Sequence, residues 1–136
     1  MSRILGIDVG EKKIGLAIGD TGSNFAFARP PLLVNDWSVA WPILTQLVID
    51  EHIDTVVIGL PLKRDGQPGS QAERTRVFID QLRQHCPVPI VEQDERLTTK
   101  AVTKEQSKAD RKLPRGYEDS LAAQLIVETY LIQHRV

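Results

Sequence analysis

Residues 3–20 read RILGIDVGEKKIGLAIGD, and this stretch decides how the chain begins to fold. Two apolar runs, residues 3–9 and 14–20, flank a polar segment that starts at Gly10, a residue free to adopt the positive φ of a tight turn. The pattern predicts a β-hairpin. The first predicted strand carries an acidic residue, Asp8, in its interior.

Beyond the hairpin, strand-like apolar runs alternate with segments of helical spacing. The run at residues 25–34 contains two adjacent prolines, which cannot donate to a sheet ladder, so we expect an edge strand there. The β-branched run at residues 55–61 is typical of a buried, central strand, and Ser70 with Glu73 forms a capping-box pattern before a helix. The predicted strands are residues 3–9, 14–20, 25–34, 55–61 and 88–92, and the predicted helices are residues 41–53, 70–86, 97–108 and 117–134. This order predicts one α/β domain, residues 1–136, with a mixed five-stranded sheet flanked by helices.

The composition restricts the classes of function. The 136 residues suffice for one hydrophobic core, and 17 Lys plus Arg nearly balance 18 Asp plus Glu, which excludes a uniformly basic nucleic-acid coat. No apolar run is long enough to cross a bilayer and no signal peptide follows Met1, so we expect a cytoplasmic protein without membrane contact. The single cysteine, Cys86, cannot form an internal disulfide, and the histidines lack zinc-ligand spacing.

Acidic residues at three places could carry chemistry, and each place also has an ordinary structural explanation. Asp8 lies inside a strand, where a carboxylate needs either a cation or hydrogen-bond donors. The amides of the following turn are the ordinary source of such donors. Asp94 and Glu95 follow a short strand at the edge where ligands gather in α/β sheets, although an acid there also caps a helix. Asp119 falls in the first turn of the last predicted helix, on the same face as small apolar residues, where an acid also complements the helix dipole.

These carboxylates come from a strand interior, a strand exit and a helix, and a compact sheet could bring them to one point. Converging carboxylates are hard oxygen ligands that suit Mg²⁺ or Mn²⁺. A site with two such ions holds the attacking and leaving oxygens of a phosphodiester displacement. The acidic set therefore predicts metal-dependent phosphoryl chemistry if it converges.

Basic residues point to a phosphate-bearing partner. Residues 100–115 hold six basic and two acidic side chains, a local net charge of +4 against −1 for the whole chain. Such a run is either a solvated helix face or a surface that binds a nucleic-acid backbone. Lys12 and Lys13 lie in the first turn, close in sequence to Asp8. No aromatic run favours base stacking, so we expect a nucleic acid to be held by its backbone.

Four motifs span nearly the whole chain in order. They are Gly6-Ile7-Asp8-Val9-Gly10 with Lys12-Lys13-Ile14-Gly15-Leu16-Ala17, Val57-Ile58-Gly59-Leu60-Pro61 with Gly66, Asp94-Glu95-Arg96-Leu97-Thr98-Thr99, and Asp119-Ser120-Leu121-Ala122-Ala123. Together they closely resemble the YqgF family, also called RuvX, of Holliday junction resolvases. The resemblance implies a ribonuclease H-like fold related to the resolvase RuvC, and a cytoplasmic nuclease that depends on a divalent metal such as Mg²⁺ or Mn²⁺.

The resemblance also implies a site and a substrate. By motif, Asp8 would be the first-strand ligand, Glu95 the second, with Asp94 as its rival, and Asp119 the third, borne by a helix. In RuvC-like enzymes the second acid follows the central strand. In this sequence Gly59, Leu60 and Pro61 occupy that position. The substrate would be the 5′ end of pre-16S ribosomal RNA or branched DNA.

Five basic residues are the candidate contacts to a nucleic-acid backbone: Lys12, Lys13, Arg96, Lys112 and Arg115. Their type does not distinguish RNA from DNA, because contact with a 2′-hydroxyl leaves no motif. Cutting paired strands of a junction needs two sites related by a two-fold axis, so a resolvase predicts a homodimer, whereas RNA processing is compatible with a monomer.

Two other functions fit part of the pattern. ATPases of the actin and sugar-kinase class share a related core and a Gly-x-Asp-x-Gly hairpin, but they need a second such domain, which 136 residues cannot supply. A nucleic-acid-binding module without turnover would keep the fold, and it predicts salt-sensitive binding that is unchanged in Asp8→Asn.

Overall fold

The computed structural model describes residues 2–23, 25–95, 117 and 120–134. Over these residues the chain forms a five-stranded mixed sheet and three α-helices. The strands are β1 (Arg3–Val9), β2 (Lys13–Asp20), β3 (Ala26–Leu33), β4 (Thr55–Leu60) and β5 (Ile90–Asp94), and the helices are α1 (Ala40–Asp50), α2 (Ser70–Arg83) and α3 (Leu121–Gln133). The predicted α/β class with a mixed five-stranded sheet is confirmed. No helix in these ranges is long and apolar enough to cross a membrane.

The sheet order is β3-β2-β1-β4-β5. β1, β2 and β3 are antiparallel neighbours, whereas β4 runs parallel to β1 and β5 parallel to β4. The predicted hairpin is confirmed, with Asp8 opposite Gly15. β3, which contains the two prolines, lies at the sheet edge as expected. The centre of the sheet is β1, not β4, because the hairpin and β3 add two strands on the other side of β1.

Helices cover both faces of the sheet. On one face, called the α1/α2 face, a continuous core of large apolar side chains packs beneath α1 and α2. On the other, called the α3 face, a smaller core packs beneath α3. A methyl group at Gly6 would overlap Val127 and come within 2.9 Å of the Ala123 carbonyl oxygen. Glycine in β1 therefore lets the backbone of α3 lie directly against the sheet.

Several predicted boundaries are wrong. The capping box at Ser70 is absent, because Gly69 is the N-cap residue, Ser70 is already helical, and no side chain caps α2. The last strand runs two residues further than predicted and ends at Asp94. Helix α3 begins at Leu121, with Ser120 as its N-cap residue. The predicted helix at residues 97–108 lies outside the described residues.

Candidate active site

The parallel strands β1, β4 and β5 end at the same edge of the sheet. Ile7 pairs with Ile58, and Leu60 pairs with Asp94, so the ends of the three strands are in register. Strand alternation places Asp8 on the α3 face, since its neighbour Ile7 is buried in the α1/α2 core. The edge predicted to gather ligands thus carries Asp8 from β1 and the residues that end β5.

Asp8 and Glu95 come together at this edge. The two side chains are hydrogen-bonded to each other, and both are partly buried. Asp94, the rival of Glu95, is the last residue of β5 and lies close enough for its charge to act on Glu95. Of the predicted acidic residues, the structure therefore brings Asp8 and Glu95 into contact, with Asp94 beside them.

The environment of these carboxyls favours a shared proton. Burial raises the pKa of Glu95 to about 7, and the charge of Asp8, the hydrogen bond to Asp8 and the charge of Asp94 act in the same direction. Burial also raises the pKa of Asp8, while the hydrogen bond from Glu95 opposes that rise. Near neutral pH the pair therefore shares a proton, and Glu95 is the carboxyl whose pKa is raised to about 7.

Two carboxyls that must share a proton are chemically suited to a divalent cation. Their oxygens are the hard donors that Mg²⁺ and Mn²⁺ prefer, and a cation in place of the proton would neutralise both charges. Among the residues that the structure describes, no group of three or more His, Cys, Asp or Glu side chains forms a metal cluster. The described residues thus supply two neighbouring carboxyls of a candidate site, Asp8 and Glu95.

The turn that carries Lys12 and Lys13 is anchored next to this edge. The Trp37 indole donates a hydrogen bond to the Gly10 carbonyl oxygen at 3.1 Å. Glu11 forms an ion pair with Arg74 of α2. Both lysines are exposed, as a contact to a backbone phosphate requires.

Four of the predicted site residues fall outside the described part of the chain: Asp119, Arg96, Lys112 and Arg115. They remain predictions.

The sequence interpretation missed Ser120, a fully buried residue at the start of α3. Its hydroxyl accepts a hydrogen bond from the Leu16 amide at 3.1 Å and makes no bond that caps its own helix. Leu16 lies where the register between β2 and β3 shifts, because three residue steps from Leu32 to Arg29 oppose two on β2. Ser120 thereby ties the start of α3 to β2, one residue from Gly15, the partner of Asp8. The predicted helix at residues 117–134 includes Ser120, so the sequence gives this serine no special role.

Comparisons with known proteins agree on the family. The sequence model of the RuvX family, described as Holliday junction resolvase, matches residues 2–133. A relative in Sulfurihydrogenibium sp. (strain YO3AOP1) is 38% identical over 135 residues, covering 96% of this chain and 90% of the relative. A relative in Mesorhizobium japonicum is 35% identical over 130 residues, covering 94% of this chain and 78% of the relative. Both are named for a pre-16S rRNA nuclease.

Solved structures show the same fold. RuvC of T. thermophilus in complex with a Holliday junction substrate superimposes with a TM-score of 0.70 at 14% identity, covering 99% of this chain and 96% of RuvC. A second Thermus thermophilus RuvC structure gives a TM-score of 0.63. The ribonuclease H-like fold of RuvC is thus the fold of this chain. From its sequence match over nearly its whole length, the chain belongs to the RuvX family.

Proposed function

We propose that this protein is a metal-dependent endonuclease that hydrolyses phosphodiester bonds during maturation of the 5′ end of pre-16S rRNA. The observation that carries the proposal is the contact between the Asp8 and Glu95 carboxyls at the edge where the parallel strands end. Relatives named for this activity, which match most of the chain, support the choice of substrate. The role belongs to ribosome biogenesis and places the protein in the cytoplasm.

Asp8, Glu95 and Asp119 would hold one or two Mg²⁺ or Mn²⁺ ions, with Asp94 as the alternative to Glu95. When bound, such ions stabilise the charge that develops on the phosphate and favour ionisation of the attacking water. Glu95 must first release the proton that it shares with Asp8, because only ionised carboxylates bind the cation well. Cation affinity should therefore increase as the pH rises through about 7, the pKa of Glu95.

The basic residues would hold the substrate by its backbone. Lys12 lies in the anchored turn that follows β1, Lys13 begins β2, and Arg96 follows Glu95 directly in the sequence. Lys112 and Arg115 would add contacts from the basic segment that precedes α3 in the sequence. Such contacts are independent of base sequence and weaken as the salt concentration rises.

A second candidate function is resolution of branched DNA, favoured by the description of the matching family as Holliday junction resolvase. The same carboxyls would act, and the additional requirement is a homodimer whose two sites face the paired strands. A monomer in solution would favour the RNA substrate.

The test is cleavage of a pre-16S 5′ leader RNA and of a synthetic four-way DNA junction, each with Mg²⁺ or Mn²⁺. We expect Asp8→Asn and Asp119→Asn to lose more than about 100-fold in rate, since loss of an outer partner of a metal ligand already costs 10- to 100-fold. Asp80→Asn, which removes an exposed carboxylate from the second half of α2, is the matched control and should cleave like the wild type.

Cleavage of one substrate only would identify that substrate. If the wild type and both site variants were equally inert at high enzyme concentration while still binding nucleic acid, the nuclease proposal would be wrong. The chain would then be a binding module without turnover. Saturable ATP binding by calorimetry would instead favour the ATPase class.

A further inference from the structure

Gly59 is the unusual residue of β4. It interrupts a run of β-branched and apolar residues, and glycine weakens a strand interior because it has no side chain to pack. Its backbone does not require glycine, since Gly66 is the glycine with a positive φ among the described residues. The reason for glycine at this position must therefore be space.

The space at Gly59 is already filled by two other side chains. A Cβ atom there would lie 2.5 Å from Glu95 Oε1 and 2.5 Å from Ile126 Cδ1, and 2.8 Å from Glu95 Cγ. Carbon atoms in ordinary contact are about 3.5–4.0 Å apart, so a methyl group would have to displace both neighbours. The atoms to be displaced belong to flexible side chains, and the backbone of β4 can stay in place.

The notch at Gly59 adjoins Asp8. Ile7 pairs with Ile58 in the parallel ladder, so the next residues of the two strands, Asp8 and Gly59, are neighbours at the strand ends. Strand alternation puts both on the α3 face, because Ile7 and Ile58 are both in the α1/α2 core. A side chain that fills the notch is thus directed to the Asp8 carboxyl, which Glu95 contacts.

We propose that Gly59 is a positioning residue: its missing side chain forms a notch in β4 through which Glu95, from the end of β5, reaches Asp8. The inference rests on the proposed function, in which Asp8 and Glu95 hold the catalytic cation. Gly59 touches neither substrate nor cation in this proposal, and it acts only through the place that it leaves for Glu95.

A purely structural explanation competes with this proposal. Gly59 also contacts Ile126 of α3, so its role could be limited to helix packing, as at Gly6. The two explanations can be separated, because Ile126→Val removes the Cδ1 atom that would collide with a new methyl group. In Gly59→Ala/Ile126→Val the collision with the helix is relieved, and the collision with Glu95 stays.

The experiment compares the wild type, Ile126→Val, Gly59→Ala and the double variant. Four quantities are measured: melting temperature, Mn²⁺ affinity of the metal-free protein by electron paramagnetic resonance, kcat and KM for the cleaved substrate, and the Glu95 position in a crystal structure. We expect Ile126→Val to keep kcat and Mn²⁺ affinity within about twofold. Gly59→Ala should lower both by about 10- to 100-fold, because displacement by about 1 Å is costly at a reacting centre.

The double variant is decisive. We expect it to recover the melting temperature of Ile126→Val while kcat and Mn²⁺ affinity stay low, KM stays near the wild-type value, and Glu95 lies away from Asp8. Recovery of kcat and affinity together with stability would overturn the proposal and leave Gly59 a packing residue. If Gly59→Ala fails to fold, the double variant alone carries the comparison.

Failure of the proposed function would look different. The wild type would then cleave neither substrate, and Asp8→Asn would behave in the same way. The position of Glu95 in the crystal structure of the double variant would still decide the role of Gly59. A Glu95 carboxyl that kept its hydrogen bond to Asp8 despite the new methyl group would overturn the positioning role.

Discussion

The two faces of the sheet are built from different side chains. On the α1/α2 face, Phe78 is fully buried between two tryptophans, with ring centroids 5.2 Å from Trp37 and 5.0 Å from Trp41. On the α3 face, Gly6 of β1 lies against Val127 and the Ala123 carbonyl oxygen of the helix, and Gly59 of β4 lies against Ile126. Large apolar residues fill one face, and small residues bring a helix close on the other.

This difference separates stability from chemistry. Each large side chain buried on the α1/α2 face contributes about 1.5–3 kcal/mol through burial. The α3 face has the smaller core and also contains two partly buried carboxyls whose pKa values are raised, which is an unfavourable arrangement without a cation. We infer that the α1/α2 face stabilises a fold whose α3 face carries the site.

The largest effect on stability should come from Phe78→Ala. Deleting a buried phenylalanine side chain costs about 3–5 kcal/mol of unfolding free energy, which urea denaturation would measure. At a temperature where the variant is folded, its kcat should stay near the wild-type value, because Phe78 belongs to the face opposite the site. Val77→Ala, at a neighbouring and half-exposed position of α2, should change stability by less than about 0.5 kcal/mol.

A large fall in kcat of folded Phe78→Ala would contradict the separate roles of the two faces, since it would show that they are coupled. Equal destabilisation by Phe78→Ala and Val77→Ala would show that the core of the α1/α2 face is not specifically packed.

Much of the fold could be predicted because its signals are local. The hairpin follows from two apolar runs around a glycine turn, and the edge position of β3 follows from two prolines that lack an N–H group. The prediction of a capping box was wrong because a capping box requires Ser70 to be the N-cap residue. In the structure Gly69 is the N-cap residue and Ser70 is already helical. The end of β5 was misplaced by two residues because pairing with β4 extends the strand to Asp94.

The site was predictable only in part. Asp8 is visible in the sequence because an acid inside an apolar strand needs a partner. The choice between Asp94 and Glu95 was left open because adjacent residues of an extended chain point in opposite directions, and the sequence does not fix where the strand ends. The contacts of Gly59 with Glu95 and of Ser120 with Leu16 join residues 36 and 104 positions apart, so no local pattern reports them.

A smaller loss of stability should follow from Ser120→Ala, which tests whether the hydrogen bond from Leu16 to Ser120 fixes the start of α3 to β2. The substitution leaves the buried Leu16 amide without its acceptor, which costs about 1–3 kcal/mol of unfolding free energy. Ser23→Ala is the matched control, because the Ser23 hydroxyl is exposed, accepting a hydrogen bond from the Phe25 amide at 3.3 Å and donating one to Asp20, and its loss should cost less than about 0.5 kcal/mol. Equal costs in urea denaturation would contradict the tether between Ser120 and β2.

The last effect that we predict is a pH dependence of the melting temperature in metal-free buffer, and Glu95→Gln is the comparison. The folded state raises the pKa of Glu95 from 4.5 to about 7. The folded protein therefore binds this proton more tightly than the unfolded chain does, so its stabilising effect is complete below about pH 4.5 and is lost as the pH rises through about 7. Between roughly pH 5 and 8, which spans most of the interval between these pKa values, the melting temperature of the wild type should fall relative to that of Glu95→Gln. Mg²⁺ or Mn²⁺ at pH 8 should restore it more in the wild type than in the variant, since a ligand of the folded state raises its stability by mass action. Parallel pH profiles of the two proteins would show that the Glu95 carboxyl has no raised pKa, and the α3 face would then carry no electrostatic cost for a cation to relieve.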